Sequence, residues 1–244
     1  MTRQLVLAAA ACLALTVSTS GASSARIVVY AAASLTEVFP RIDGRPRYQF
    51  AGSDQLATQI AQGAPADVFA SASPKQAELL YHDGFVRKPV VFATNKLVVI
   101  VPSSNPRRIR TVYDLRRKGV RVVIGDKSVP IGSYTRQVLD ALGVSAAVMK
   151  NVVSQEPDVK GIVTKVVLGE ADAGFVYRTD ARPVRKKVQA IGLPRFAQPP
   201  IRYGIAVVKA SSHRAAAREF VRRVLSTRGR RLLVASGFGL PGRR

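Results

Sequence analysis

The sequence predicts an α/β protein made of two lobes, and three observations support that prediction. Its 244 residues are enough for one large domain or two small lobes. Apolar runs rich in β-branched residues alternate with helical patterns, which favours mixed, mostly parallel sheets flanked by helices. Two proline-rich breaks, at 102–106 and 192–200, interrupt the alternation. We therefore expect two crossovers between the lobes, with hinges near Ser103 and Pro199 and a first lobe formed from both ends of the chain.

The first 25 residues have the layout of a secretory signal peptide. Arg3 supplies a positive charge, residues 5–17 form an apolar run of thirteen, and small residues follow. This run is shorter than the roughly 20 residues that a membrane-spanning helix needs. We expect cleavage after Ala22 or Ala25, and the alternative is a lipoprotein attached through Cys12, the single cysteine. The mature protein is therefore expected to be periplasmic or otherwise extracytoplasmic.

The first lobe is predicted to comprise residues 26–102 and 200–244. Its first strand covers 27–30, and Ser34 with Glu37 three residues later matches a capping box that opens a helix. The other predicted strands of this lobe cover 46–51, 68–70, 97–101 and 201–208, and its other predicted helices cover 55–62 and 74–82 and begin again at 212 and 227.

The second lobe is predicted to comprise residues 103–199. Its predicted strands cover 120–124, 148–152 and 173–177, and its predicted helices cover about 132–142 and 157–168. In open α/β sheets, ligands bind beyond the carboxyl ends of the strands, beside helix N-termini. A cleft between two such lobes would therefore collect several helix N-termini.

Nothing in the sequence indicates an enzyme. The two histidines, His82 and His213, fall on predicted surface helices, where a solvent-exposed role is expected. Two histidines and one cysteine are too few for a histidine-rich metal site or a disulfide framework. The sequence contains no glycine-rich phosphate loop, and its acidic residues form no close pair typical of acid–base catalysis. We therefore expect a binding protein rather than a catalyst.

Ser34 and Ser53 each follow a predicted strand and precede a predicted helix. A helix N-terminus offers unpaired N–H groups and the positive end of the helix dipole, so it can hold an anion, and a serine adds a hydroxyl donor. The alternative is that both serines are only N-caps. The loop at 126–134 joins a strand to a helix in the same way. Tyr177, at the end of a strand, is either a phenolic donor or a packed side chain.

The same residues carry a resemblance to a known family. From residue 27 to residue 238 the chain is similar to periplasmic molybdate-binding proteins, the substrate-binding components of ABC transporters. The matching segments, in chain order, are 31–36 (AAASLT), 50–53 (FAGS), 59–69 (QIAQGAPADVF), 125–126 (GD), 129–134 (VPIGSY), 158–160 (DVK), 169–177 (GEADAGFVY) and 203–207 (YGIAV). Each segment is weakly specific alone, but their order and spacing together are specific.

The resemblance implies a two-lobed type II periplasmic binding fold with the ligand in the cleft. It implies an oxyanion site formed by the hydroxyls of Ser34, Ser53 and Tyr177 and the backbone N–H groups of Ile131 and Val159. The ligand would be molybdate or tungstate, held without a cofactor or a direct ligand to a metal cation; sulfate or phosphate is the alternative. A neutral donor set suits a fully deprotonated dianion, because a buried Arg or Lys would be costly to desolvate. The implied partners are a membrane permease and its ATPase, both separate chains.

Three features depart from the family pattern. The first helix is short because proline and glycine interrupt residues 40–46, so we expect weaker packing near Ser34. Ile131 stands where the family prefers alanine. Asp54 directly follows Ser53, where a small or neutral residue is usual. A carboxylate in the cleft would repel a dianion, and we therefore expect Asp54 to point to solvent.

The chain is strongly basic, with 38 Lys and Arg against 15 Asp and Glu, a net charge of +23. The basic clusters are spread along the sequence, and most fall on predicted loops or polar helix faces. A nucleic-acid binder would instead carry one basic stripe with interleaved aromatic residues, so we expect no nucleic-acid partner. The basic surface can steer anions towards the cleft, and membrane association would come only through this surface or the permease. We expect a monomer.

Overall fold

The computed structural model describes residues 26–242. The predicted signal peptide, with the alternative lipid attachment at Cys12, lies outside the described residues. Between residues 26 and 242, no helix combines the length and the apolar character needed to cross a bilayer. The described chain forms two five-stranded sheets with helices packed against them, which confirms the predicted α/β class with two lobes.

The sheets are built from short strands. These are β1 Val28–Ala32, β2 Arg47–Ala51, β3 Val68–Ser71, β4 Val90–Thr94, β5 Leu97–Pro102, β6 Val122–Gly125, β7 Val152–Glu156, β8 Ala173–Tyr177, β9 Val188–Gly192 and β10 Arg202–Val207. The α-helices are α1 Phe39–Ile42, α2 Ser53–Ala61, α3 Pro74–His82, α4 Pro130–Ala141, α5 Ser145–Met149, α6 Val159–Val167, α7 Arg178–Ala181, α8 Arg214–Leu225 and α9 Thr227–Ala235. Short 3₁₀ helices cover Ala33–Leu35, Val112–Arg116 and Arg195–Ala197.

The two sheets follow the same plan. The strand order is β2-β1-β3-β10-β4 in the first, where β10 runs antiparallel to β3 and β4. It is β7-β6-β8-β5-β9 in the second, where β5 runs antiparallel to β8 and β9. In each sheet the first three strands of the order are parallel, so the helices that follow them begin at the same edge. That edge is where an open α/β sheet binds ligands.

The boundary between the lobes differs from the prediction at one strand. The sequence places 97–101 in the first lobe, but β5 pairs with β8 and β9 in the second sheet. The chain therefore passes between the sheets at residues 95–96 and returns between β9 and β10. Ser103 donates its backbone N–H to a carbonyl just before β9 (2.9 Å), so it lies within the second lobe rather than in the connection between the lobes. The break at 102–106 is a turn within the second lobe, because proline and serine punctuate tight turns as well as linkers.

Other local predictions also fail, each for a physical reason. The strand predicted at 148–152 is divided between α5 and β7, because a short apolar run suits both a buried helix and a strand. The capping box is absent, since Ala33–Leu35 is a single 3₁₀ turn with no side-chain cap. Strand β4 and strand β9 were not predicted. Strand β9 lies at a sheet edge with mostly exposed side chains, so it lacks an apolar pattern.

Packing near Ser34 is retained although the first helix is short. Leu35 and Phe39 are fully buried. The Phe39 ring packs against the rings of Phe92 and Phe220, with centroids 5.8 and 5.5 Å apart. The residues that follow Ser34 are therefore well packed, and the expected loss of packing is not observed.

Candidate functional site

A narrow cavity lies at the edge where the helices of both sheets begin, and it is called the cleft cavity below. Its volume is about 20 Å³, which suits a compact ligand rather than a sugar or a peptide. Its walls include all five residues that the sequence places at the site: Ser34, Ser53, Ile131, Val159 and Tyr177. The other lining residues are small or apolar, apart from Asp158. The fold thus brings the five together from both sheets.

The two serines present hydroxyls, and neither acts as an N-cap. Ser34 follows β1 inside the 3₁₀ turn, and its Oγ lies 2.9 Å from the Tyr203 hydroxyl. Ser53 is the first residue of α2, where Gly52 takes the cap position without a side-chain bond. The Ser53 Oγ accepts the Ala72 backbone N–H at 3.0 Å, which leaves its own proton for another acceptor. The simple cap interpretation is therefore wrong for both residues.

The second lobe contributes backbone N–H groups. Ile131 is the second residue of α4, directly after Pro130, so its N–H has no carbonyl one turn earlier to bond. Asp158 caps α6, and its Oδ1 accepts the N–H groups of Lys160 (2.7 Å) and Gly161 (3.2 Å). This cap does not engage the first N–H of the helix, that of Val159. The N-termini of α4 and α6 therefore both present donors to the cavity.

Tyr177 ends β8 with its hydroxyl in the wall of the cavity. The residue is 2% exposed, and its Oη is buried without a hydrogen-bond partner among the described residues. Burial raises the pKa of Tyr177 well above its ordinary value, so the phenol keeps its proton. A buried hydroxyl without a partner is costly, and a ligand oxygen in the cavity would relieve that cost.

The cleft cavity is lined mainly by neutral hydrogen-bond donors. Among the described residues no Lys or Arg lines it, and the Asp158 carboxylate is engaged as a helix cap. The described part of the chain also contains no cluster of His, Cys, Asp and Glu that could hold a metal ion. Hydroxyl and amide donors around a small space are suited to a compact anion whose atoms only accept hydrogen bonds.

Comparison with known proteins assigns the family. The sequence profile of the family described as bacterial extracellular solute-binding protein matches residues 27–239. The chain belongs to this family. Membership in the family identifies the protein as a solute-binding protein that acts outside the cytoplasm.

This solute-binding protein has curated relatives and solved neighbours. It is 44% identical to the molybdate-binding protein of Mycobacterium tuberculosis, over 91% of this chain and 87% of that protein. The substrate-binding domain of a putative molybdenum ABC transporter from Clostridium difficile is 29% identical, with a TM-score of 0.63 over 89% of this chain and 99% of that one. The periplasmic molybdate-binding protein of Azotobacter vinelandii shares the fold, with a TM-score of 0.79 at 23% identity over 89% of this chain and 100% of that one.

Asp54 is placed differently from the prediction. In this solute-binding protein it is half-buried rather than directed to solvent, and its Oδ2 accepts the hydroxyl proton of Ser128 at 2.8 Å. Its Oδ1 is buried without a partner among the described residues. Since Asp54 lies in the first turn of α2 and Ser128 in the loop before α4, the bond joins the two lobes. Asp54 does not line the cleft cavity.

Gly52 is a site residue that sequence reasoning missed. A Cβ at this position would lie 2.5 Å from the Pro157 carbonyl oxygen and 3.2 Å from a methyl of Val129, both in the other lobe. The close approach of the lobes in this solute-binding protein therefore requires a glycine. The position of Gly52 between a predicted strand and Ser53 was the feature of the sequence that could have indicated it.

His213 is not solvent-exposed in the way the sequence suggests. Its Nδ1 lies 3.2 Å from Asp67 Oδ1, and the Ser211 hydroxyl donates to the same carboxylate. Ser212 Oγ lies 3.4 Å from the same Nδ1, a longer contact than the one to Asp67. The group ties the segment before α8 to β1, since Asp67 also accepts the Val28 N–H.

Proposed function

We propose that the protein captures molybdate, or tungstate, outside the cytoplasm and delivers it to a membrane permease driven by an ATPase. It acts by binding, without a catalytic step or a cofactor, and as a monomer. Relatives named molybdate-binding proteins at 44% and 31% identity support this ligand. The prediction of an exported chain agrees with the family description.

The observation that carries the proposal is the donor set of the cleft cavity. Three hydroxyls, of Ser34, Ser53 and Tyr177, and the N–H groups of Ile131 and Val159 border one small space. At neutral pH molybdate is fully deprotonated, so each of its oxygens accepts hydrogen bonds and none donates. Fixed neutral dipoles can hold such a dianion without the desolvation of a cationic side chain.

Sulfate is the second candidate, because it is also tetrahedral and accepts hydrogen bonds only. Hydrogen phosphate fits less well, since its O–H would need an acceptor in the cavity. Asp158 Oδ1 is engaged by the N-terminus of α6 and Asp54 Oδ2 by Ser128. Asp54 Oδ1 has no partner among the described residues, but Asp54 does not line the cavity. In this proposal, molybdate and tungstate bind more tightly than sulfate because they are larger.

Binding is coupled to closure of the lobes. The serines belong to the first lobe and the amides to the second, so an anion in the cavity bridges the two. The lobes would rotate about the two connections at 95–96 and 193–201, in the hinge motion common to proteins of this architecture. In this proposal the first lobe is residues 26–94 and 202–242.

Calorimetric titration of the mature protein with molybdate, tungstate, sulfate and phosphate tests the proposal. We expect one-to-one saturable binding of molybdate and tungstate that is tighter than binding of the other two. Ser34→Ala should weaken binding about tenfold or more, because it removes a hydrogen bond to a charged group. The exposed Ser104→Ala is the matched control and should leave affinity unchanged. Absence of saturable binding of all four anions would overturn the proposal.

A further inference from the structure

Asn95 lies in the connection between the two lobes, and its side chain contacts both. Its Oδ1 accepts the Lys96 backbone N–H at 2.9 Å. A backbone N–H can only donate, so this bond determines which end of the amide is oxygen. The Nδ2 end is therefore directed to Thr179 Oγ1 (2.9 Å) in the second lobe and Tyr203 Oη (3.2 Å) in the first.

Tyr203 links this amide to the cleft cavity. It is fully buried on β10, and its Oη lies 2.9 Å from Ser34 Oγ. Burial raises the pKa of Tyr203 well above its ordinary value, so the phenol keeps its single proton. That oxygen accepts from Asn95 and has one proton of its own to donate.

The direction of the bond between Tyr203 and Ser34 follows from these partners. If Ser34 donated to Tyr203, the phenolic proton would have no acceptor among the described residues, and a buried donor without an acceptor is costly. If Tyr203 donates, the Asn95 amide protons and the Tyr203 proton all have acceptors. The Ser34 proton is then left to point into the cavity. The second arrangement satisfies every donor once an anion is bound.

We propose that Tyr203 and Asn95 are positioning residues that act through Ser34, turning its hydroxyl proton towards the bound anion. The inference rests on the proposed function, since it concerns the same site. Asn95 lies in the lobe connection and contacts Thr179, so the chain of hydrogen bonds runs from the hinge to the ligand. The Tyr203 hydroxyl proton also occupies a lone pair of the Ser34 oxygen. An anion that presents an O–H to Ser34 is therefore disfavoured.

A double-mutant cycle with molybdate separates this role from a structural one. Tyr203→Phe in the mature protein is expected to weaken binding about fivefold, the effect of one neutral hydrogen bond. In a Ser34→Ala background the same change should have no further effect, because the residue it acts through is gone. In a Ser53→Ala background it should keep its full effect.

A second variant keeps the inference testable if Tyr203→Phe folds poorly, and a third serves as a control. Asn95→Ala should show the same dependence on Ser34. Tyr48→Phe removes a phenolic hydroxyl that bonds the backbone carbonyls of Phe39 and Asp43 in the first lobe, and it should alter thermal stability but not affinity.

The outcomes are distinguishable. A loss of affinity that is equal with and without Ser34 would overturn the positioning role and leave the proposed function standing. A wild-type protein that binds no oxyanion would overturn both. Loss of the Tyr203 and Asn95 effects in the Ser34→Ala background alone supports the inference.

Discussion

Two cavities of this protein handle charge in opposite ways. The cleft cavity is narrow and lined by neutral donors, with the Asp158 helix cap as the one charged residue among the described residues that line it. A second cavity of about 420 Å³ borders α8 and is lined by charged residues, including Arg26, Asp43, Arg45, Glu219 and Arg223; it is called the arginine cavity below. A protein with a net charge of +23 therefore keeps its proposed anion site free of cationic side chains.

Four charged residues of the arginine cavity pair with one another. Asp43 accepts from Arg45 and from Arg223, both at 2.8 Å, and Arg223 also contacts Glu219 at 3.1 Å. In the cleft cavity the Tyr177 hydroxyl has no described partner. The proposed anion site is therefore distinguished from the arginine cavity by hydroxyl and amide donors without acceptors in the described part of the chain, and not by a larger volume or more positive charge.

The largest expected effect comes from blocking closure around the cleft cavity. Gly52→Ala places a methyl group against the Pro157 carbonyl and should weaken molybdate binding about a hundredfold, the upper part of the range for overpacking. The thermal stability of the anion-free protein should change little, because the lobes can open. Gly192→Ala, which has open space around it, is the control. Unchanged affinity in the Gly52 variant would show that the lobes need not approach as closely as described.

Removal of the unpaired phenol tests the neutral donor set directly. Tyr177→Phe should weaken molybdate binding about thirtyfold, since it deletes a hydrogen bond to a charged ligand. The anion-free protein should be as stable as wild type or slightly more so, because a buried hydroxyl without a partner is removed. Calorimetry and thermal unfolding measure the two effects. The exposed Tyr113→Phe is the control, and a parallel loss of stability and affinity would contradict the prediction.

Asp180 is a buried carboxylate close to Tyr177 and Tyr203. Its titration measures what a buried charge costs beside the cleft cavity. Burial raises its pKa to about 6, and Lys160, whose Nζ lies 3.2 Å away, partly offsets that effect. Because this is above the unfolded value of 3.8, the folded protein holds the proton more tightly. This contribution to stability is present below the unfolded pKa and is lost as pH rises through the folded pKa.

The free energy of unfolding of the wild-type protein should therefore fall by about 2 kcal/mol between about pH 4 and pH 6. Asp180→Asn should remove this decline. Urea unfolding across that range measures it, with the exposed Asp83→Asn as the control. If the wild-type protein and the Asp180 variant show the same pH dependence, this carboxylate does not titrate as expected.

The smallest expected effect lies in the arginine cavity. Arg223→Met should lower the free energy of unfolding by about 1 kcal/mol, because its ion pairs are partly exposed. Molybdate affinity should stay within about twofold of wild type, as expected for a separate site. Exposed Arg218→Met serves as the control for charge alone. A tenfold loss of affinity on Arg223→Met would remove the distinction between the two cavities.

The fold class and the residues of the candidate site were accessible from sequence because both depend on local patterns. The strand Ala173–Tyr177 has the predicted bounds, since a continuous apolar run between turn residues defines it. Ser34 and Ser53 were found because they follow strands and precede helical segments. The placement of β5 was not accessible, because an apolar strand carries no information about which sheet it joins.

What the sequence alone determined is therefore the α/β class, the family and the set of residues that meet in the cleft cavity. The tertiary structure decided how those residues are used. Ser34 meets a tyrosine 169 positions away, Asp54 meets Ser128 across the lobes, and Gly52 lies against the opposite lobe. Local patterns record periodicity and turns, whereas the partner of a hydroxyl or carboxylate depends on which distant segment the folded chain brings within 3 Å, roughly the length of a hydrogen bond.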